Sequence, residues 1–188
     1  ANKCVSYLMQ YQQADGAESY DIISSDSLYI CSSLTVSLIS SAMKFINNPS
    51  DLMAKAEMMR AHCVLSGIEI SDDEIIKAAA GSGLDQDILP SGLSSIMESF
   101  SDLPLYDLCE KLISCFQLYR YEGDSEYIRA FEDCVLTFSK NYSSDLNKFV
   151  NWWDESGCKS AIQPSDNQDA VTVMTVHRSK GLDFSIQF

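Results

Sequence analysis

Between positions 175 and 183 the chain sets Thr175, His177, Arg178, Lys180, Gly181 and Asp183 within a single short stretch. His177, Arg178 and Lys180 form its only clustered cationic group. A turn of this kind suits phosphate: two permanent cations and a titratable imidazole supply charge, successive backbone amides supply donors, and Gly181 lets a ligand approach the main chain closely. The plainer alternative is a solvated turn, because clustered charges usually sit in water.

The elements around this turn must position it. Val171, Val173 and Val176 alternate with Thr172 and Thr175, a β-branched run that predicts a buried strand ending at the turn. Leu182-Asp183-Phe184 follows as a second apolar piece. A strand that ends in a basic turn presents side chains at the edge of a sheet, where α/β proteins hold ligands. Asp21-Ile-Ile-Ser-Ser25 predicts another short buried strand, and Lys3–Gln13 has helical spacing up to the stop at Asp15-Gly16. Two lone strands make only a marginal sheet in water. They either pair and are covered by the first helix, or belong to a larger sheet.

From Ser32 onward apolar residues recur at three-and-four spacing for more than a hundred residues. Leu34, Leu38, Ile39, Ala42, Phe45 and Ile46 predict one helix that ends before Pro49. Ser50 or Asp51 caps the next, with Leu52, Ala56, Met59 and Cys63 on its inner face and Gly67 as its stop. Met53, Met58 and Met59 read as gap-filling core. Ser71-Asp-Asp-Glu74 has the spacing of a capping box and opens a helix to Ala80. The glycines at 81 and 83, with Asp85 and Asp87, predict an exposed loop.

Further helices follow over Ser91–Phe100, from Pro104 (Leu105, Leu108, Leu112, Cys115, Phe116 and Tyr119 as a core stripe), after Gly123-Asp124 (Ile128, Phe131, Val135, Phe138 and Tyr142), and after a Ser143 or Ser144 cap (Leu146, Phe149, Val150 and Trp153). Trp152-Trp153 could stack on bases, but the helix stripe favours Trp153 as a core anchor and Trp152 as half-exposed. The plan is mainly α: a bundle-like helical insert over 32–160, flanked by short strands in 1–31 and 161–188.

Composition narrows the function. Thirteen basic against twenty-seven acidic residues give a net charge of −14, so most of the surface repels nucleic acid and any contact must be local. No apolar run approaches the ~20 residues of a membrane span, and the expected location is cytoplasmic. Seven cysteines without a C-x-x-C pair read as reduced thiols. His62-Cys63 lacks the closely spaced partners of a structural zinc site, so no metal is expected. The carboxylates at 72–74 are explained by a helix N-terminus, and no nuclease or hydrolase centre is evident.

Thr175-Val-His177-Arg-Ser-Lys180-Gly181-Leu-Asp183-Phe184 resembles motif V of UvrD/Rep-type superfamily-one DNA helicases, whose pattern is T-x-H-x-x-K-G-L-E-F, with Asp183 where Glu is usual. Val-Thr-Val-Met before it is similar to the strand leading into that motif. The Ile-Ile-Ser-Ser-Asp-Ser-Leu stretch resembles a segment between motif IV and the accessory insertion. The resemblance implies that 1–31 and 161–188 are pieces of a split RecA-like motor domain, and that 32–160 is its helical accessory insertion.

It also implies that Thr175, His177 and Arg178 contact DNA and couple it to the nucleotide. Lys180, Gly181 and Asp183 would face the nucleotide cleft, with Lys180 near the phosphates and Asp183 towards the ribose. The parent would be an ATP-dependent helicase moving three-prime to five-prime in repair or recombination, with ATP and magnesium as cofactors. Its partners would be single-stranded and duplex DNA, the rest of the helicase chain and a candidate nuclease subunit. The sequence contains no G-x-x-x-x-G-K-[ST] loop, so this stretch alone is expected to be inactive in ATP hydrolysis and to carry no catalytic residue. The alternative is a free-standing acidic helical protein-interaction module.

Overall fold

The computed structural model describes residues 21–24, 29–81, 88–162 and 170–173. The expected helix over Lys3–Gln13 and the loop around Asp85 and Asp87 lie outside them. The chain divides into two compact units, one of residues 30–162 and one of residues 1–29 with 163–188.

The larger unit is helical. Seven α-helices run through the described residues: α1 (Leu34–Asn47), α2 (Leu52–Ser66), α3 (Asp72–Ala80), α4 (Gly92–Ser99), α5 (Leu105–Cys115), α6 (Ser125–Asn141) and α7 (Leu146–Glu155). α1 is the spine. Val36, Leu38, Ile39, Ala42, Met43, Phe45 and Ile46 are buried, and the helix touches α2, α5, α6 and α7. A helix enclosed on so many sides must hide its few polar groups by internal bonding. Ser33 accepts from the Val36 amide and shares a 2.7 Å hydrogen bond with Thr35, and the Ser41 hydroxyl donates to the Ser37 carbonyl at 2.7 Å.

Caps set the helix ends. Asp51 accepts from the Ala54 amide, and Gly67, at φ +68°, takes the left-handed conformation that closes α2. Ser71 and Glu74 form the reciprocal capping box: the Glu74 amide donates to Ser71 Oγ, and the Ser71 amide donates to Glu74 Oε2. α7 is capped by Asp145, which accepts from the Lys148 amide at 2.8 Å, rather than by Ser143 or Ser144. Ser143 is occupied instead in accepting from the Asp145 amide.

Lys55 on α2 is 2 % exposed, and its ammonium donates to the carbonyls of Ala78, Ala79 and Gly81 at 3.3, 3.1 and 3.0 Å. A nine-residue helix has little stability of its own. This lysine ties the end of α3 to α2, and the cation meets the negative end of the α3 dipole.

α6 and α7 close the unit with aromatic rings. Phe131, Phe149 and Trp153 are buried, and Trp152 is half-buried at the rim. Trp153 meets Phe131 edge-on at 4.8 Å, and Phe138 meets Phe149 edge-on at 5.3 Å. Such pairs contribute about 0.5–1.5 kcal/mol each beyond burial. Gly157 lies beneath both indoles: a Cβ there would stand 2.6 Å from Trp152 and 2.8 Å from Trp153. Lys44 of α1 pairs with Asp154 of α7 at 2.7 Å.

Four residues expected inside are exposed. Leu52 and Met53 occupy the first turn of α2, where no neighbouring element covers them among the described residues, although Met58 and Met59 are fully buried. Tyr119 leaves the α5 stripe because α5 ends at Cys115 and Gln117 adopts φ +52°. Tyr142 lies past the last residue of α6 and stacks on Phe138 at 5.2 Å.

The two ends of this unit meet. Ile30 donates its amide to the Ser160 carbonyl at 2.8 Å, and the short 3-10 turns Ile30–Ser32 and Gly157–Lys159 lie side by side. In the smaller unit, β1 (Asp21–Ser24) pairs in parallel with β2 (Ala170–Val173), with Ile22 opposite Val171 and Ile23 opposite Thr172.

Candidate functional site

β2 ends at Val173, two residues before Thr175. Thr175, His177, Arg178, Lys180, Gly181 and Asp183 all lie outside the described residues. The clefts of the helical unit are therefore the places where a site can be built from side-chain geometry.

Two open grooves of the larger unit share Gln117 and Arg120 in their linings. The first, of about 500 Å³, is lined by Ile113, Leu118, Tyr119, Glu110, Glu132 and Arg120, among others. Its organising contact is the Tyr119 hydroxyl, which donates to Glu132 Oε2 at 2.7 Å. Partial desolvation on the groove side of this otherwise exposed ring, followed by this bond, raises the Tyr119 pKa and keeps the phenol protonated.

The second groove, of about 240 Å³, is lined by His62, Ser66, Leu89, Cys115, Phe116 and Arg120, among others. His62 tilts against the Phe116 ring at 5.3 Å. Burial and then the Arg120 charge lower its pKa, opposed by a hydrogen bond with the Ile88 backbone. The imidazole is therefore neutral near neutral pH. Arg120 lies over the Tyr121 ring, 4.8 Å from its centre, and donates to Ser66 Oγ and to the Tyr121 hydroxyl. Tyr121 in turn donates to the Leu65 carbonyl at 2.8 Å. These bonds strap the 118–121 segment to the C-terminal turn of α2, which is a packing role.

Gln117 lines both grooves. A non-glycine residue in the left-handed region is uncommon, and here it lets the chain reverse between α5 and the 3-10 turn Leu118–Arg120 without a glycine. Nothing in Cys-Phe-Gln-Leu-Tyr-Arg signals this from sequence.

Cys115 and His62 line the same groove, but no hydrogen bond joins them among the described residues, and burial raises the Cys115 pKa and keeps the thiol protonated. Cys109 is buried, and desolvation, then Glu132 and Glu110, push its thiol higher still. His62 faces Phe116 while Cys63 points into the core, so the two do not converge as ligands. No group of three His, Cys, Asp or Glu side chains gathers as a metal site among the described residues. No helix among them is long and apolar enough to cross a membrane.

No family model, curated protein or solved structure matches this chain.

Proposed function

We propose that the chain is a segment of a UvrD/Rep-like superfamily-one DNA helicase, holding the helical accessory insertion and motif V of the second motor domain. The observation that carries this reading is the ten-residue pattern from Thr175 to Phe184, placed directly after the β-branched strand that such a motif requires. Two features of the fold support it. β1 and β2 pair in parallel although the whole helical unit lies between them in sequence, and a two-stranded parallel ribbon calls for further strands to stabilise it. The helical unit also begins and ends at one place, at the Ile30–Ser160 bond, as an insertion into another domain must.

In this reading Thr175, His177 and Arg178 face the DNA track, and Lys180, Gly181 and Asp183 face the nucleotide. ATP and magnesium are held largely by groups elsewhere in the parent enzyme. The chain contributes coupling, not hydrolysis. The test is His177→Ala in the full-length parent. ATP hydrolysis stimulated by single-stranded DNA should fall by an order of magnitude or more, while folding is unchanged. Retained unwinding with unchanged ATP coupling removes His177 from this role.

A further inference from the structure

The seven exposed large hydrophobic residues among the described ones are unevenly distributed. Five of them, Leu52, Met53, Val64, Ile68 and Ile76, fall on α2, α3 and the link between them. Isolated exposed apolar residues are ordinary, but a concentration on one face is not.

Helix geometry shows how this face is built. On α2 the exposed positions 53, 57, 60 and 64 lie one turn apart along a single line. On α3 the exposed positions 72, 76 and 80 do the same. Two contacts fix how the lines run. Lys55 reaches the carbonyls at 78, 79 and 81, and Arg60 pairs with Asp72 at 3.5 Å, so the helices are antiparallel with the Asp72 line beside the Arg60 line. Met53, which is 70 % exposed, therefore lies towards the Ala80 end, and Val64, 60 % exposed, lies beyond the Asp72 end. Ile76, also 60 % exposed, stands between them. The two lines flank an interhelical furrow with three apolar points along its length, crossed between Ile76 and Val64 by the Arg60–Asp72 pair.

The border of the furrow selects its occupant. Exposed side chains of residues 52–77 include five carboxylates (Glu57, Glu69, Asp72, Asp73 and Glu74) against Arg60 and Lys77; Arg60 pairs with Asp72 and Glu74 is engaged in the α3 cap, which leaves Glu57, Glu69 and Asp73 against Lys77. Nucleic acid is repelled by such a border. A second copy would bring the same charges face to face. We propose that the α2–α3 furrow docks a basic amphipathic helix of a partner protein, whose apolar stripe covers Met53, Ile76 and Val64 while its flanking Lys and Arg side chains meet the carboxylate border. The furrow belongs to the helical unit alone, and its occupancy does not depend on the flanking strands being part of a motor domain.

A synthetic peptide of about 18 residues tests this, with leucines at helical three-and-four spacing and lysines elsewhere. The control is a scrambled peptide of the same composition. With the whole chain, the amphipathic peptide should bind and slow hydrogen exchange over residues 52–80. Met53→Ser with Ile76→Ser, and separately Glu57→Lys with Asp73→Lys, should each weaken it about tenfold. All four positions are exposed, and unchanged circular dichroism confirms that each variant is folded. Absence of binding overturns the proposal. So does equal affinity for the scrambled peptide, protection elsewhere on the chain, or unchanged affinity in both variants. Binding of a duplex or single-stranded oligonucleotide at residues 52–80 also overturns it.

Discussion

Gly157→Ala isolates a single steric effect. Gly157 is buried, and its φ lies outside the left-handed region, so alanine meets no backbone objection there. The added methyl would stand 2.6 and 3.0 Å from Trp152 ring carbons and 2.8 Å from Trp153. Trp152 is half-buried and can swing outward. Trp153 cannot, because Phe131 meets it at 4.8 Å and Phe149 stacks on it at 6.2 Å. Overpacking of this kind costs about 1–3 kcal/mol, and alanine recovers about 0.4–1 kcal/mol by narrowing the unfolded ensemble. The net loss is about 1–2 kcal/mol, which for a unit of this size lowers Tm by about 4–8 °C.

The control is Gly123→Ala, where a new Cβ meets nothing within 4 Å. Thermal unfolding followed by tryptophan fluorescence should show Gly157→Ala well below wild type and Gly123→Ala within about a degree or two of it. Equal Tm values for the two variants would refute the idea that the indoles are locked over Gly157.

Two further outcomes are expected. Lys55→Met keeps the aliphatic stem but removes the donor to three carbonyls, and should cost about 1–3 kcal/mol in urea unfolding, with faster exchange of the α3 amides. An unchanged midpoint would show that α3 does not depend on this lysine. His62 has a folded pKa below its unfolded value of about 6.5, so the unfolded chain takes up its proton first as pH falls. Stability from this group is full above that value and is lost as pH falls through the folded pKa. His62→Gln should flatten the stability profile just below pH ~6.5, and an identical profile in the variant would count against the assignment.

Much of the helical unit is legible in the chain because its signals are local. The capping box at Ser71 and Glu74, the Asp51 cap and the Gly67 stop each involve residues within a turn of one another. The buried stripe of α1 follows the same three-and-four rule. Exposure is less legible because spacing tells which side of a helix a residue occupies, not whether another element arrives to cover it. Leu52 and Met53 share a helix with the fully buried Met58 and Met59 yet stay in solvent. Tyr119 is displaced by a conformational event, the left-handed Gln117, which has no compositional signature. Asp145 takes the α7 cap because the Ser143 hydroxyl is already engaged by the Asp145 amide. The stretch from Thr175 to Asp183 is legible only as a sequence pattern, because it lies outside the described residues.

The bond between Ile30 and Ser160 also bears on the order in which the chain folds. During synthesis β1 emerges about 145 residues before its partner β2. Closing so long an unfolded loop late would be slow and would leave an unpaired strand edge exposed. Once residues 30–162 have folded and drawn their ends together, only about a dozen residues outside that unit separate the two strands. The closure entropy then falls by about 2 kcal/mol on the logarithmic law for loops. A helical unit that folds first would thus act as a folding splint: a sheet contact that is distant in sequence becomes, in effect, a local one.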